Sequence, residues 1–205
     1  FFDPGETAPE PSMAEAPGPH LVFTGQMDYA PNIEAAIRVT GKILPAIRQH
    51  YPSATFHVVG RAPVRELVAL DGKNGVKVWG GVPDIRPFLA GADVVVAPLA
   101  IARGVQNKVL EAMAMARPVV LTPEAATGID ADDGVSFAIG RDDNGLIART
   151  LSLLEDGQKA RAMGVAARRF VIDRQGWPAM LAPLPRIMGF GTRRRARAEV
   201  RRDAA

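Results

Sequence analysis

Six short runs of β-branched and aromatic residues are spaced along the chain, with helix-forming segments between most of them. The runs are His20–Gly25 (HLVFTG), Ala54–Gly60 (ATFHVVG), Gly75–Gly80 (GVKVWG), Asp93–Pro98 (DVVVAP), Pro118–Thr122 (PVVLT) and Val135–Ile139 (VSFAI). Parallel strands cannot be joined by tight turns, so each needs a crossover, and strand–helix alternation is what crossovers look like in a sequence. DVVVAP has no polar alternation, which predicts a central strand buried on both faces. The pattern predicts an α/β fold: a Rossmann-like, doubly wound parallel sheet of about six strands with helices on both faces. Ligands bind such sheets beyond the carboxyl ends of the strands, where strand order reverses. That directs attention to the loops after Gly25, Gly60, Gly80 and Pro98.

The helical segments carry their own boundary signals. Pro31–Tyr51 places Ile33, Ile37, Leu44 and Ile47 at three- and four-residue spacing, with Pro31 suited to a first turn and Pro45 expected to kink or split the helix. Val105–Ala116 is expected as one helix with Val105, Val109, Ala112 and Ala116 as its buried stripe. Further helices are expected at 63–70, at 84–91 with Asp84 as N-cap, at 142–155, at 157–174, and from about Trp177 to Met188. Residues 4–19 hold five prolines and read as an extended linker. The expected organisation is a linker over 1–19, one domain over 20–188 and a basic tail over 189–205.

Composition narrows the function classes. At 47% hydrophobic and 23% charged residues, the chain is not an intrinsically disordered one. No apolar run approaches the ~18 residues of a membrane span. There is no cysteine, so a disulfide framework, a thiolate metal site and a Cys nucleophile are excluded, which fits a reducing compartment. The net charge of +3 comes from one place. Residues 190–205 hold six arginines against Glu199 and Asp203, a local +4, so the rest of the chain stands at −1. A near-neutral body does not argue for a nucleic-acid-binding fold, and no nucleic-acid partner is expected. The Arg-rich tail reads either as a solvated terminus or as a segment attracted to anionic lipid.

Chemistry-bearing residues concentrate in two loops. The first, Gly25-Gln26-Met27-Asp28-Tyr29-Ala30-Pro31-Asn32, lacks G-x-G-x-x-G, which lowers the odds of a dinucleotide enzyme. Gly25 either makes a tight turn or lets a ligand approach the backbone. The second runs from Pro98 through Arg103, Gly104, Val105, Gln106 and Asn107 to Lys108 and Glu111. A glycine at a helix start, with unpaired N–H groups and flanking Arg103 and Lys108, suits a diphosphate. Glu111 lies three residues beyond Lys108, where a carboxylate could accept two hydroxyls. Taken alone, Lys-x-x-Glu equally describes a solvated ion pair. Asp130-Ala131-Asp132 spells D-x-D but sits in a Gly/Ala/Asp-rich loop and is read as solvated. His20, His50 and His57 have no ligand spacing, so no metal site is expected. Met113 and Met115 read as core filler.

The run GVQNKVLEAMAMARPVV resembles the C-terminal, donor-binding domain of retaining GT-B glycosyltransferases of the group 1, family 4 type. VFTG, HVVGRAP and VKVWGGVPDIRPFLAGADVVVAPL fit in order, so the resemblance spans about residues 20–188. In its finer form, ARG-x-QNK-x-LEAMAM is similar to sugar transferases that accompany bacterial exosortase and exopolysaccharide systems. FFDP resembles the end of such an enzyme's interdomain linker, which would leave an N-terminal acceptor domain outside this sequence.

The resemblance implies one half of a GT-B fold and a nucleotide-diphosphate sugar donor of UDP or GDP type. It implies transfer with retention to a polysaccharide or lipid-linked acceptor, no metal or other cofactor, and a cytoplasmic location; the lipid reading of the Arg-rich tail would add a peripheral contact with the inner membrane. The family's E-x7-E motif ends at Glu111, implied to hold the donor ribose, while its first Glu position is occupied by Arg103. Gly104, Val105, Gln106 and Asn107 are implied to offer backbone N–H groups to the diphosphate. The family's basic pair after the first strand falls on Gln26 and Pro31, so both charges are missing there, and Arg103 and Lys108 are expected to supply them. Gly25 and Gln26 are expected among the donor-binding residues, and Arg61 and the Val82-Pro83 turn are implied to lie where the base would sit. The chain by itself is expected to bind nucleotide without transferring sugar. A GT-B nucleotide-sugar epimerase or hydrolase and a non-catalytic nucleotide-binding domain are the alternatives.

Overall fold

A computed structural model of the chain describes residues 1–176 and 181–188. Six strands form one parallel sheet: β1 (His20–Thr24), β2 (Thr55–Val59), β3 (Val76–Gly80), β4 (Val94–Ala97), β5 (Val119–Leu121) and β6 (Ala138–Ile139). The order across the sheet is β3-β2-β1-β4-β5-β6. Strand order therefore reverses between β1 and β4, which pair through Leu21–Val94 and Val22–Val95. Every position of β1, β4 and β5 is buried, so helices must cover both faces.

The helices are α1 (Pro11–Ala14), α2 (Ala30–Arg38), α3 (Leu44–His50), α4 (Arg65–Val68), α5 (Arg86–Ala90), α6 (Asn107–Ala114), α7 (Asp143–Glu155) and α8 (Gly157–Phe170). Asp142 and Asp156 cap the last two, their carboxylates accepting from Gly145 N and from Gln158 and Lys159 N. The Rossmann-like expectation is met, with departures in individual elements.

The expected helix over 31–51 is split, not merely kinked. Val39–Ile43 forms one π-helical turn between α2 and α3, and Pro45 sits in the first turn of α3. Proline has no N–H for the carbonyl four residues back and its ring crowds that carbonyl, so a widened turn absorbs the misfit. α5 starts at Arg86 rather than Asp84: the Asp84 carboxylate instead accepts from Arg86 N (2.9 Å) and pairs with the Arg86 guanidinium (2.6 Å). The strand expected at 135–139 pairs only through Ala138 and Ile139. The helix expected from Trp177 falls partly outside the described residues, which show a short helix at Leu184–Ile187. The basic tail lies outside the described residues. No helix of the described residues is long and apolar enough to cross a membrane.

The segment expected as an extended linker is instead folded onto the body. Met13 of α1 is fully buried in the core, and Glu10 N–H donates to the Pro87 carbonyl (3.0 Å). Arg168 of α8 donates to the carbonyls of Phe2 (2.9 Å) and Ala114 (2.5 Å) and pairs with Asp3 (3.1 Å). One buried apolar side chain and one arginine fork outweigh the extended preference of the prolines.

At the opposite end of the sheet from the strand carboxyl ends, β1 and β2 bring two histidines together. His20 Nδ1 lies 3.2 Å from His57 Nε2, both rings meet Thr55 Oγ1, and Trp79 Nε1–H donates to His57 Nδ1 (3.1 Å). His57 is buried, and burial, with His20 and Lys77 nearby, lowers its pKa to about 4. Between pH 4 and 6.5 the unfolded chain binds a proton at His57 that the folded chain refuses. This stability is complete above pH 6.5 and is lost as pH falls toward 4, by on the order of 2–3 kcal/mol. Urea denaturation at pH 7 and pH 4.5 should show that loss, reduced in His57→Phe; an equal acid sensitivity in the variant would refute it.

Candidate functional site

The carboxyl ends of β1, β2 and β3 turn over at Gly25, Gly60 and Gly81, and backbone hydrogen bonds lace these turns together. Gly25 N–H donates to the Val59 carbonyl (3.1 Å), Met27 N–H to Arg61 (2.8 Å) and Gly60 N–H to Gly80 (2.9 Å). A side chain at residue 60 would overlap the Gly25 carbonyl oxygen, so the first two turns meet backbone to backbone. α6 reaches the same place from beyond β4. The result is an open cavity of about 560 Å³ at the strand-order switch.

Thr24, Gly25 and Gln26 form one wall of that cavity, and Val59, Gly60 and Arg61 the next. Gly81, Val82 and Ile85 continue it, and Asn107, Lys108 and Glu111 close it from α6. Arg61 Nη2–H donates to Gln26 Oε1 (2.9 Å), tying two turns at the rim. Thr24 Oγ1 is buried with no hydrogen-bond partner in the structure.

Lys108 is the cation at the base. Its ammonium donates to Asn32 Oδ1 and lies 4.7 Å from the centroid of the Phe23 ring. No carboxylate of the described residues is within ion-pair distance of it. Burial lowers its pKa to about 8, against the opposing pull of Glu111. Glu111 is half-buried, and burial raises its pKa while Lys108 pulls it down. An ammonium that is desolvated but not ion-paired favours an anion beside it.

The structure thus gathers Gly25, Gln26, Arg61, Val82, Asn107, Lys108 and Glu111 on one cavity. It leaves Arg103, Gly104, Val105 and Gln106 outside the lining. The reason is local: α6 begins at Asn107, not at 105. Gly104 is left-handed (φ +69°), Gln106 is extended, and Gln106 Nε2 donates to the Gly104 carbonyl (3.1 Å) instead of capping the helix. Arg103, Gly104 and Val105 are exposed, so Val105 does not join Val109 and Ala112 in the buried stripe. The far end of α6 also stops short of Ala116. Ala116 is left-handed, and Ala116 N–H and Arg117 N–H bond back to Met113 and Ala112 (both 3.0 Å). Arg103 and Lys108, expected to act together, are therefore separated by a turn. Sequence reasoning pointed to the loops after Gly25 and Gly60 but did not single out Thr24, Asn32, Val59, Gly60, Gly81 or Ile85 as site residues. A glycine directly after a buried strand was the available signal for residue 60. Asn32 carried none, because Lys108, the partner that brings it to the site, lies 76 residues further along the chain.

The family model of group 1 glycosyl transferases matches residues 18–156. Among solved structures, the chain is similar to a complex of S. aureus TarM with fondaparinux, alpha-GlcNAc-glycerol and UDP (TM-score 0.69, 19% identity), covering 87% of this chain and 37% of that one. It is similar to Anabaena HepE in complex with UDP and glucose (TM-score 0.68, 17% identity), covering 93% of this chain and 55% of that one. It is also similar to the C-terminal domain of the group 1 protein LpcC from Francisella tularensis (TM-score 0.61, 18% identity), covering 85% and 98%. Among curated protein sequences no relative matches. At these identities the structural likeness establishes the fold, that of one half of a GT-B enzyme. The chain spans about a third to just over half of the length of the first two.

Proposed function

The chain belongs to the group 1 glycosyl transferases, and from that premise we propose that its cavity receives a nucleotide-diphosphate sugar of UDP or GDP type. The observation that carries the reading is the Lys108 ammonium, desolvated, without a carboxylate partner among the described residues, and set at the strand-order switch. In this reading the diphosphate lies against Lys108 and the Gly25 turn. Glu111, one helical turn along α6, accepts the ribose hydroxyls. The base occupies the far side, against Gly81, Val82 and Arg61. The UDP complexes of TarM and HepE make such a donor a natural one for this fold.

Transfer with retention to a polysaccharide or lipid-linked acceptor is part of the proposal. Negative charge builds on the diphosphate as the glycosidic bond breaks, and a preorganised cation stabilises it without reorganising at that moment. The sugar end of the donor would extend toward the exposed loop of Arg103 and Gly104. Acceptor-side chemistry is assigned to a separate domain, so the chain alone should bind nucleotide without transferring sugar. The arginines of 190–205 would hold such an enzyme at anionic lipid, each worth about 1 kcal/mol near the surface.

Calorimetric titration of the chain with UDP, GDP and the corresponding nucleosides tests the donor reading. We expect UDP or GDP to bind at least about tenfold more tightly than its nucleoside, since a charge-assisted contact is worth about 1.5–3 kcal/mol. Equal affinity for nucleoside and diphosphate, or no binding of either, would remove the donor reading.

A further inference from the structure

Asn32 sits in the first turn of α2 and is 5% exposed. Its amide makes two contacts of opposite sense. Nδ2–H donates to the Gln26 carbonyl (2.9 Å), and Oδ1 accepts from Lys108 Nζ. A carbonyl can only accept and an ammonium can only donate, so the two partners together fix which way the amide points. Asparagine answers both at this length: aspartate would set a carboxylate against the Gln26 carbonyl, and serine would not reach both.

The surroundings are built around this pair. A Cβ at residue 25 would sit 2.8 Å from Asn32 Nδ2 and 3.0 Å from Lys108 Nζ, so the pair fills the space beneath the Gly25 turn. The Phe23 ring takes another side of the ammonium. Arg61 and Glu111 are the other charged groups lining the cavity. A lysine carries four rotatable bonds, and holding one in place costs rotamer freedom. Asn32 settles that cost before any ligand arrives.

We propose that Asn32 is the positioning residue of the anion site: it draws the Lys108 ammonium from α6 across to the turn after β1 and keeps the Gln26 carbonyl engaged. The role of this cavity as a diphosphate site is taken from the reading above. Asn32 acts through Lys108 and the turn, and does not itself contact the ligand.

The test uses the full 205-residue chain with Asn32→Asp and Asn32→Leu, and two readouts. The first is the NMR titration midpoint of the Lys108 ε-signals without ligand. Asn32→Asp should raise it and the isosteric, apolar Asn32→Leu should lower it. The second is calorimetry at pH 7 with UDP, GDP and inorganic pyrophosphate. Both variants should weaken binding by about tenfold or more, the loss of one hydrogen bond to a charged group. Should Asn32→Leu fail to fold, Asn32→Asp carries both readouts alone. A Lys108 midpoint unmoved by either folded variant would overturn the proposal, as would unchanged pyrophosphate affinity. If the parent chain binds pyrophosphate but neither nucleotide, and the midpoints move as expected, the donor reading falls and the role of Asn32 stands.

Discussion

Lys108→Met should weaken nucleoside diphosphate binding by about 100-fold and leave the protein at least as stable as the parent. The affinity loss follows from removing the cation at the base of the cavity, whose hydrogen bonds to an anion are of the strong, charge-assisted kind. The stability gain follows from the same burial that makes the site. Lys108 titrates near 8 when folded against 10.5 for an ordinary lysine. At pH 7 the folded chain therefore carries a penalty on the order of 3 kcal/mol for keeping the ammonium charged. Methionine has nearly the same length and no charge, so that penalty is recovered, offset by about 1–3 kcal/mol for leaving the buried Asn32 Oδ1 without its donor.

The pH dependence separates this account from a simple packing effect. Between pH 8 and 10.5 the unfolded chain still binds a proton at Lys108 that the folded chain has released. Parent stability should therefore rise over that window, while UDP or GDP affinity falls as the charge is lost. In Lys108→Met both curves should be flat with respect to this group. Denaturant melts and calorimetry at pH 7, 8.5 and 10 read both. A variant that is less stable than the parent by more than about 1 kcal/mol at pH 7 would show that Lys108 is a structural residue.

Gly60→Ala should cost on the order of 4 kcal/mol, at the upper end for a single substitution. The added methyl would overlap the Gly25 carbonyl oxygen, which is backbone and cannot rotate aside. Nor can the turn retreat as a unit. Gly25 N–H is bonded to the Val59 carbonyl and Gly60 N–H to the Gly80 carbonyl, so moving either strand end breaks the lacing between β1, β2 and β3. For a chain of this size the melting temperature should fall by roughly 10 °C. Gly41→Ala is the control, because a Cβ there meets nothing within 4 Å. It should be neutral or slightly stabilising through the unfolded chain's lost freedom. Similar melting temperatures for the two variants would refute the close-approach argument.

Much of the fold was legible because its signals are local. β-branched runs declare strands, and all six appear where the runs stand, though Val135–Ile139 pairs over only two residues. Pro45 marked the break in its helix, though not the form the break takes, a single π turn over Val39–Ile43. The first nineteen residues misled for a different reason. Their prolines speak for extended backbone, and nothing local says that Met13 will find a buried place or that Arg168 will hold Phe2 and Asp3 from the other end of the chain.

The site divides in the same way. Lys108 and Glu111 were legible as a helix face beside a sheet edge, and the structure sets both on the cavity. Arg103 and Lys108 were expected to act together around a helix start at Gly104, and Gly104 undoes that by turning left-handed three residues before the helix begins at Asn107. His20 and His57 showed no ligand spacing along the chain, yet adjacent strands bring their rings into contact.

From the sequence alone came the α/β class, the parallel sheet, the edge at which a ligand would bind and the helix that would meet it. These follow from periodicity and local backbone preference, which a short window contains. Only the tertiary structure decided that Lys108 meets Asn32 and Phe23, 76 and 85 residues away, and that Arg103 does not meet them. The physical reason is the strand order. With β1 lying between β2 and β4, the start of α2 and the start of α6 converge on one switch point, and no local pattern states which strands will be neighbours.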